Sequence, residues 1–364
     1  MLYGPLWFKR QVVRIDPDSG EIKVIADGFE TPAAANFDSK WNLYVLDTAR
    51  GEVIRVDIKT GTKQRVATLD TALDNLAIDS KDRLFVSNMA DNGIQEVDLR
   101  TGAARQVVKG ELAIPLAVAA AATGGKDTLY VADVFAFRSV DGQTGAVTDI
   151  ARAHAAQTPI GYPIAVTAND RHVILTNNDG PVQRYDRRTL KLLNAWPDLR
   201  HAQTAVELPD GTLVLVETTT GKLMKVPTSG PANAQPTQIL AGLRAPLGVA
   251  IASAGEVYVG EMMGGQLLRV NVGSGTSTVV AKGLDRPQGI AVASDGSVLV
   301  LEVGRKQLTR VDPKTGTASA VARDLPVGLE NVQITTAGVA AGANGAIYVT
   351  SDIENSIWKL VPRR

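Results

Sequence analysis

Arg14-Ile15-Asp16-Pro17-Asp18-Ser19-Gly20 returns as Arg55-Val56-Asp57-Ile58-Lys59-Thr60-Gly61, as Glu96-Val97-Asp98-Leu99-Arg100-Thr101-Gly102 and as Arg310-Val311-Asp312-Pro313-Lys314-Thr315-Gly316. Weaker copies stand at Ser139-Val140-Asp141, Arg184-Tyr185-Asp186, Lys225-Val226-Pro227, Arg269-Val270-Asn271 and Lys359-Leu360-Val361. The spacing is about 41 residues, and a period in this range means stacked or radial repeats.

Around each copy the chain carries four short apolar runs separated by turn chemistry. The clearest unit begins at Gly289-Ile290-Ala291-Val292-Ala293, turns at Asp295-Gly296 and continues as Val298-Leu299-Val300-Leu301-Glu302. Asp-Gly between two apolar runs is a strong hairpin signal. Gln307-Leu308-Thr309-Arg310-Val311 then alternates polar and apolar, and Asp312 to Gly316 turns it into a fourth run from Thr317. The unit reads as a four-stranded antiparallel meander. First runs are small, as in Gly248-Val249-Ala250-Ile251, second runs are bulkier, as in Leu43-Tyr44-Val45, and outer runs are amphipathic. A wedge-shaped blade needs that grading, so the expected fold is all-β, a β-propeller. Helical solenoids are excluded, because no unit spaces its apolar residues at helical period. Residues 31–325 hold seven complete units, and a partial unit stands at each end. Joined, the two partial units close the ring at eight blades; kept apart, they make nine, within an expected range of seven to nine. The whole chain, 1–364, is expected to be one domain closed by its termini.

Composition narrows the partners. Lys plus Arg and Asp plus Glu both number 38, leaving no net charge with which to hold a phosphate backbone, so nucleic acid is not expected. There is no cysteine, hence no disulfide and no thiolate nucleophile or metal ligand. The longest apolar stretch, residues 112–123, is broken by Pro115 and too short to span a bilayer, so membrane insertion is not expected. Met1-Leu2-Tyr3-Gly4-Pro5-Leu6-Trp7-Phe8 lacks the segments of a signal peptide and starts inside a repeat unit, which leaves the compartment, cytoplasmic, periplasmic or secreted, open.

Pro287-Gln288-Gly289-Ile290-Ala291-Val292, followed by Asp295-Gly296, an apolar triplet and Gln307 to Asp312, resembles an NHL-type propeller repeat. The set also resembles the sugar-lactonase group (gluconolactonase and senescence marker protein) and the virginiamycin B lyase group, the latter in Leu6-Trp7-Phe8 and in the Glu that closes several second strands. The resemblance implies a propeller that is a hydrolase, a lyase or an interaction scaffold. The lactonase likeness further implies a divalent cation, Ca or Mg, held by a Glu opening the first blade and an Asn before the Gly of a first strand. Here the opening residues are Tyr3-Gly4-Pro5, and Asn75 takes the Gly register after Leu73-Asp74.

The expected site is the axial channel mouth, on the face where second strands end. Those ends carry Asp47, Asn88, Asp133, Asn177, Glu217, Glu261, Glu302 and Ser351. One reading makes them ligands of a hard cation, with Asp133, Glu261, Glu302 and Asn75 as the metal set; the other has them bonding their own turns as part of the repeat. Departures from the repeat cluster between residues 154 and 207. There His154, Tyr162, His201 and Glu217 are candidate catalytic residues, with His201 the preferred base, and Gln203 a substrate contact. Phe135, Phe137, Arg138, Met262 and Arg305 complete the substrate-binding set, the aromatics and methionine flooring an apolar pocket. His172 falls in the opposite hairpin and has no assigned role. Zinc is not expected, since the chain has no paired His spacing and no thiolates. The insertion at residues 327–337 would form a lid or seal the closure. Two functions follow: a hydrolase or lyase acting on a lactone, ester or related cyclic substrate, or a non-catalytic propeller binding a protein or small ligand on its channel face.

Overall fold

The computed structural model describes residues 1–156, 160–178, 180–228, 235–329 and 336–361; the Glu330 to Gln333 part of the expected lid lies outside them. Among the described residues the strands form nine antiparallel meanders. Blade 1 is Leu2–Leu6, Gln11–Ile15 and Ile22–Ala26, and blade 9 is Val339–Ala341, Ile347–Ser351 and Ser356–Leu360. Between them lie seven four-stranded blades. Blades 2 to 8 begin with the strands Pro32–Phe37, Leu73–Ile78, Pro115–Thr123, Tyr162–Ala168, Thr204–Glu207, Pro246–Ser253 and Pro287–Val292. The two partial units are thus separate three-stranded sheets, and the sheets number nine, the upper end of the expected range.

The repeated phrase is the turn between third and fourth strands. In Asp57-Ile58-Lys59-Thr60-Gly61 the Asp57 carboxylate accepts the backbone N–H of Lys59 (2.8 Å) and of Thr60 (3.0 Å), while its carbonyl accepts that of Gly61 (2.8 Å). The last residue must turn left-handed, and Gly20, Gly61, Gly102, Gly145, Gly275 and Gly316 have φ between 72° and 75°. The glycine also reaches the preceding blade: a Cβ on Gly61, Gly102, Gly275 or Gly316 would lie 2.3 to 2.6 Å from the carbonyl oxygen of Ile25, Val66, Ile239 or Val280, each on its neighbour's outer strand. One pentapeptide therefore shapes a hairpin and seats it on the next sheet.

Bonds from the two backbone N–H groups hold the carboxyls of Asp16, Asp57, Asp98 and Asp141 below their ordinary range. A depressed folded value means stabilisation that is complete above the unfolded carboxylate range and lost as pH falls through the folded value. Asn271 makes the same turn without a charge, accepting from Gly273 (3.0 Å) and Ser274 (2.9 Å). Asp98→Asn is accordingly expected to preserve the turn while flattening the loss of stability between about pH 5 and pH 2. The urea midpoint followed against pH checks this, and a slope equal to that of the parent refutes it.

Two compact units are present, residues 1–113 with 151–160, and residues 114–150 with 161–364. In the first, blade 1 packs on blade 2 and blade 2 on blade 3. In the second, blades 4 to 9 meet in sequence and blade 9 returns to blade 4, so six sheets close a ring. Within this unit the C-terminal sheet packs against the strand Pro115–Thr123.

The core lies between neighbouring blades. Val206, Val214, Val216, Val249, Val257 and Val259 form one such layer between blades 6 and 7. Val118, Val131, Ala340 and Tyr348 form another at the closing joint. Polar bonds lock that joint: Asp127 accepts from the Ala343 N–H and the Tyr348 hydroxyl, both at 2.8 Å, and Lys359 donates to the Gly142 carbonyl at 2.7 Å. Burial, and then the Asp127 carboxylate, push the Tyr348 phenol up. Inner strands approach so closely that a Cβ on Gly338 would lie 2.6 Å from the Cα of Ala117 across the joint.

Candidate functional site

First strands start and second strands end on the same rim of each blade, because the pairs are antiparallel: Pro246 faces Glu261 and Pro287 faces Glu302. At this near rim the acidic residues bond the segment that leads into their own blade. Asp47 accepts the N–H of Glu30 (2.7 Å) and Thr31 (2.9 Å), Asp133 that of Ile114 (2.6 Å), Glu261 that of Arg244 (2.8 Å) and Glu302 that of Asp285 (2.7 Å). In blade 9 the role passes to Asp352, which accepts from Gly328 and Leu329. These carboxylates satisfy backbone donors that would otherwise be buried without partners.

Each residue of the expected metal set bonds protein donors. Glu302 is 1 % exposed and also binds Arg305 (2.5 Å), Gln307 (3.3 Å) and the Thr309 hydroxyl. Asp133 is buried against Arg138 (2.9 Å), whose guanidinium also meets Asp149 (2.5 Å). Asn75 belongs to the first unit, where its side chain accepts the Leu76 N–H (2.8 Å). Among the described residues no three His, Asp or Glu side chains converge as a cation site.

Of the expected catalytic residues, His154 belongs to the first unit. It stacks edge-on against Trp7 at 5.5 Å with a left-handed φ of 58°, and burial lowers its pKa. Tyr162, His201 and Glu217 belong to the second. Tyr162 opens blade 5 and meets Phe135 edge-on at 5.8 Å, so this aromatic pair is brought together. His201 is exposed beside blade 6, with Gln203 leading into its first strand; Glu217 accepts from Thr220 (2.5 Å), and no hydrogen bond joins Glu217 to His201. Met262 is half-buried in the blade 7 loop, its N–H on the Ala245 carbonyl. Phe137 and Arg138 are not loop residues. They lie on the strand Ala136–Asp141, where Phe137 packs on Tyr185 at 5.0 Å and is fully buried.

The axis of the second unit holds a cavity of about 250 Å³ walled by the first strands of its blades. Its lining is mostly small and apolar. Thr204, Gln288 and Thr336 line it toward the near rim, and Asn169 and Glu207 toward the far one. Gln288 is 9 % exposed, and its Oε1 accepts the Ala337 N–H at 2.8 Å. Thr336 donates to the Ile164 carbonyl at 3.0 Å. At the far rim Glu207 accepts from Asn169 (2.7 Å), from Arg184 (2.8 Å) and at His172 Nδ1 (2.7 Å). Burial would raise the Glu207 carboxyl, but the bonds from His172, Asn169 and Arg184 outweigh it and leave the group below its ordinary value. Sequence reading passed over these lining residues. Their signal is slight: Thr204 and Gln288 stand before Ala205 and Gly289, where other blades have Leu116, Ile164 and Leu247.

The family described as SMP-30/Gluconolactonase/LRE-like region matches residues 8–135. A structural-genomics protein of unknown function from Bacteroides thetaiotaomicron is 11% identical with a TM-score of 0.53, over 87% of this chain and 93% of that one. Virginiamycin B lyase from Staphylococcus aureus is 12% identical with a TM-score of 0.38, over 91% of this chain and 95% of that one. No curated protein matches. The chain is thus an all-β repeat protein of propeller blades, similar over residues 8–135 to the SMP-30/gluconolactonase/LRE-like region.

Proposed function

We propose that this protein is a small-molecule hydrolase or lyase that takes a lactone, ester or related cyclic substrate at the near mouth of the second unit's axial cavity. One observation carries the reading: the strands that wall the cavity begin at the loops where the chain departs from its repeat, bearing Tyr162 with Phe135, and His201 with Gln203. An apolar pocket with a few polar groups at one end is the usual form of a small-molecule site. The exposed His201 ring has no hydrogen-bond partner among the described residues, which leaves a ring nitrogen available as a general base toward water or a substrate carbon. The residues present do not fit a divalent cation, since Asp133 and Glu302 are spent on protein donors and the Asn75 side-chain oxygen on the Leu76 N–H.

The test is turnover of a panel of lactones and esters by stripped protein and by protein loaded with magnesium or calcium. His201→Ala is expected to lower turnover about a hundredfold, a modest general-base contribution. Absence of turnover in all three states overturns the reading. The commitment of Asp133, Glu261 and Glu302 to backbone amides favours the alternative, a non-catalytic propeller that binds a ligand or protein on this rim. That alternative expects capture that survives His201→Ala and is lost on changing Phe135 to Ser.

A further inference from the structure

We infer that Gln288 and Thr204 form a donor pair that holds a carbonyl oxygen of a compact, uncharged ligand inside the axial cavity of the second unit. The inference rests on the reading above and goes further by assigning the group recognised and the residues that recognise it. Gln288 lines the cavity and is 9 % exposed. Its amide cannot be turned round, because Oε1 must face the Ala337 N–H that it accepts at 2.8 Å. Both Nε2 hydrogens are therefore donors on the other side of the amide, and neither has a partner among the described residues. With its oxygen committed to Ala337, the amide of this cavity-lining side chain keeps its donors available to an acceptor that enters the cavity.

Thr204 holds the same register two blades earlier, directly before the small residue of its first strand, and its hydroxyl is likewise without a partner among the described residues. Leu247 stands between them in blade 7, and Leu116 supplies an apolar wall in blade 4. Among the described residues the one charged lining residue, Glu207, has both oxygens occupied. Without a cation in the lining, a carboxylate or phosphate would lose its hydration uncompensated, whereas a neutral carbonyl needs only donors. A volume of about 250 Å³ suits a single small ring rather than a drug-sized molecule, whose pockets span about 300–1,000 Å³.

The test is a saturation-transfer NMR titration with γ-butyrolactone and δ-valerolactone, against tetrahydrofuran and tetrahydropyran, which keep the ring and lack the carbonyl. Thr204→Val removes the hydroxyl at constant shape, and Gln288→Glu keeps the acceptor for Ala337 while replacing the donor. Lactones are expected to bind the parent in preference to the ethers, and each substitution to weaken lactone binding about tenfold with ether binding unchanged, the worth of one buried hydrogen bond. Thermal unfolding of both variants verifies that the ring persists; should Gln288→Glu unfold, Thr204→Val alone decides. Lactone binding lost in the variants of a protein that turns nothing over upholds the inference while the enzymatic reading fails. Turnover that both variants retain with undiminished lactone affinity, or a parent that binds no lactone, overturns it.

Discussion

Glu207→Ala is expected to lower the free energy of unfolding by about 3–5 kcal/mol, the cost of removing one partner from a buried ion pair. The side chain of Glu207 is 1 % exposed in blade 6, and its three partners, Asn169, His172 and Arg184, all come from blade 5. Truncation strands the Arg184 guanidinium, which is otherwise left with Asn194 and the face of Trp196 at 5.4 Å. The joint between two blades loses its polar lock at the same time. Because the folded carboxyl sits below its ordinary value, this contribution is complete above the unfolded carboxylate range and disappears as pH falls through the folded value. The parent and the variant should therefore differ most at neutral pH and converge in acid. Urea unfolding at neutral and acidic pH checks both points, and a difference below about 1 kcal/mol at neutral pH, the worth of an exposed pair, refutes the assignment.

Gly338→Val is expected to cost about 3 kcal/mol, the upper range for overpacking, because the obstruction is backbone and cannot swing aside. A Cβ there would stand 2.6 Å from the Cα of Ala117 and 2.7 Å from the N of Val118. Those atoms belong to blade 4, so the strain falls on the joint that closes the six-sheet ring. Hydrogen exchange should quicken first in blades 4 and 9, including the amides around Tyr348 and Asp127. Gly255→Ala is the matched control, since a Cβ at Gly255 meets nothing within 4 Å and its effect should be near zero. Equal stability of the two variants would show that the joint is slack.

What the chain disclosed in advance follows from which interactions are local. The Asp-x-x-Thr-Gly turn, the Asp-Gly hairpin and the small-to-bulky grading of strands are each decided within a few residues, and all are present as expected. The near-rim acids were visible as residues but not in their role. The N–H groups bonded by Asp47, Glu261 and Glu302 lie 16 or 17 residues upstream, on the far side of a whole strand. Which sheets close a ring was also hidden, because every blade carries the same edges and the choice is made by pairs such as Gly338 with Ala117. Gln288 stands inside a repeat motif, and nothing beside it in sequence says that its amide has only half its bonds. Phe137 escaped for the opposite reason: one residue of strand separates it from a true loop residue, Phe135.

The turn glycine that rests on the carbonyl of the preceding outer strand carries a consequence for how such a chain can change in evolution. In blades 2, 3, 7 and 8, where the contact is made, the repeat encodes both halves of it, the glycine and, one period earlier, the carbonyl that receives it. Duplicating or excising one whole period leaves every remaining contact matched, whereas gaining or losing a few residues inside a period breaks two. Heritable changes of length are therefore tolerated in steps of a blade, and nothing in the contact itself counts how many blades there are.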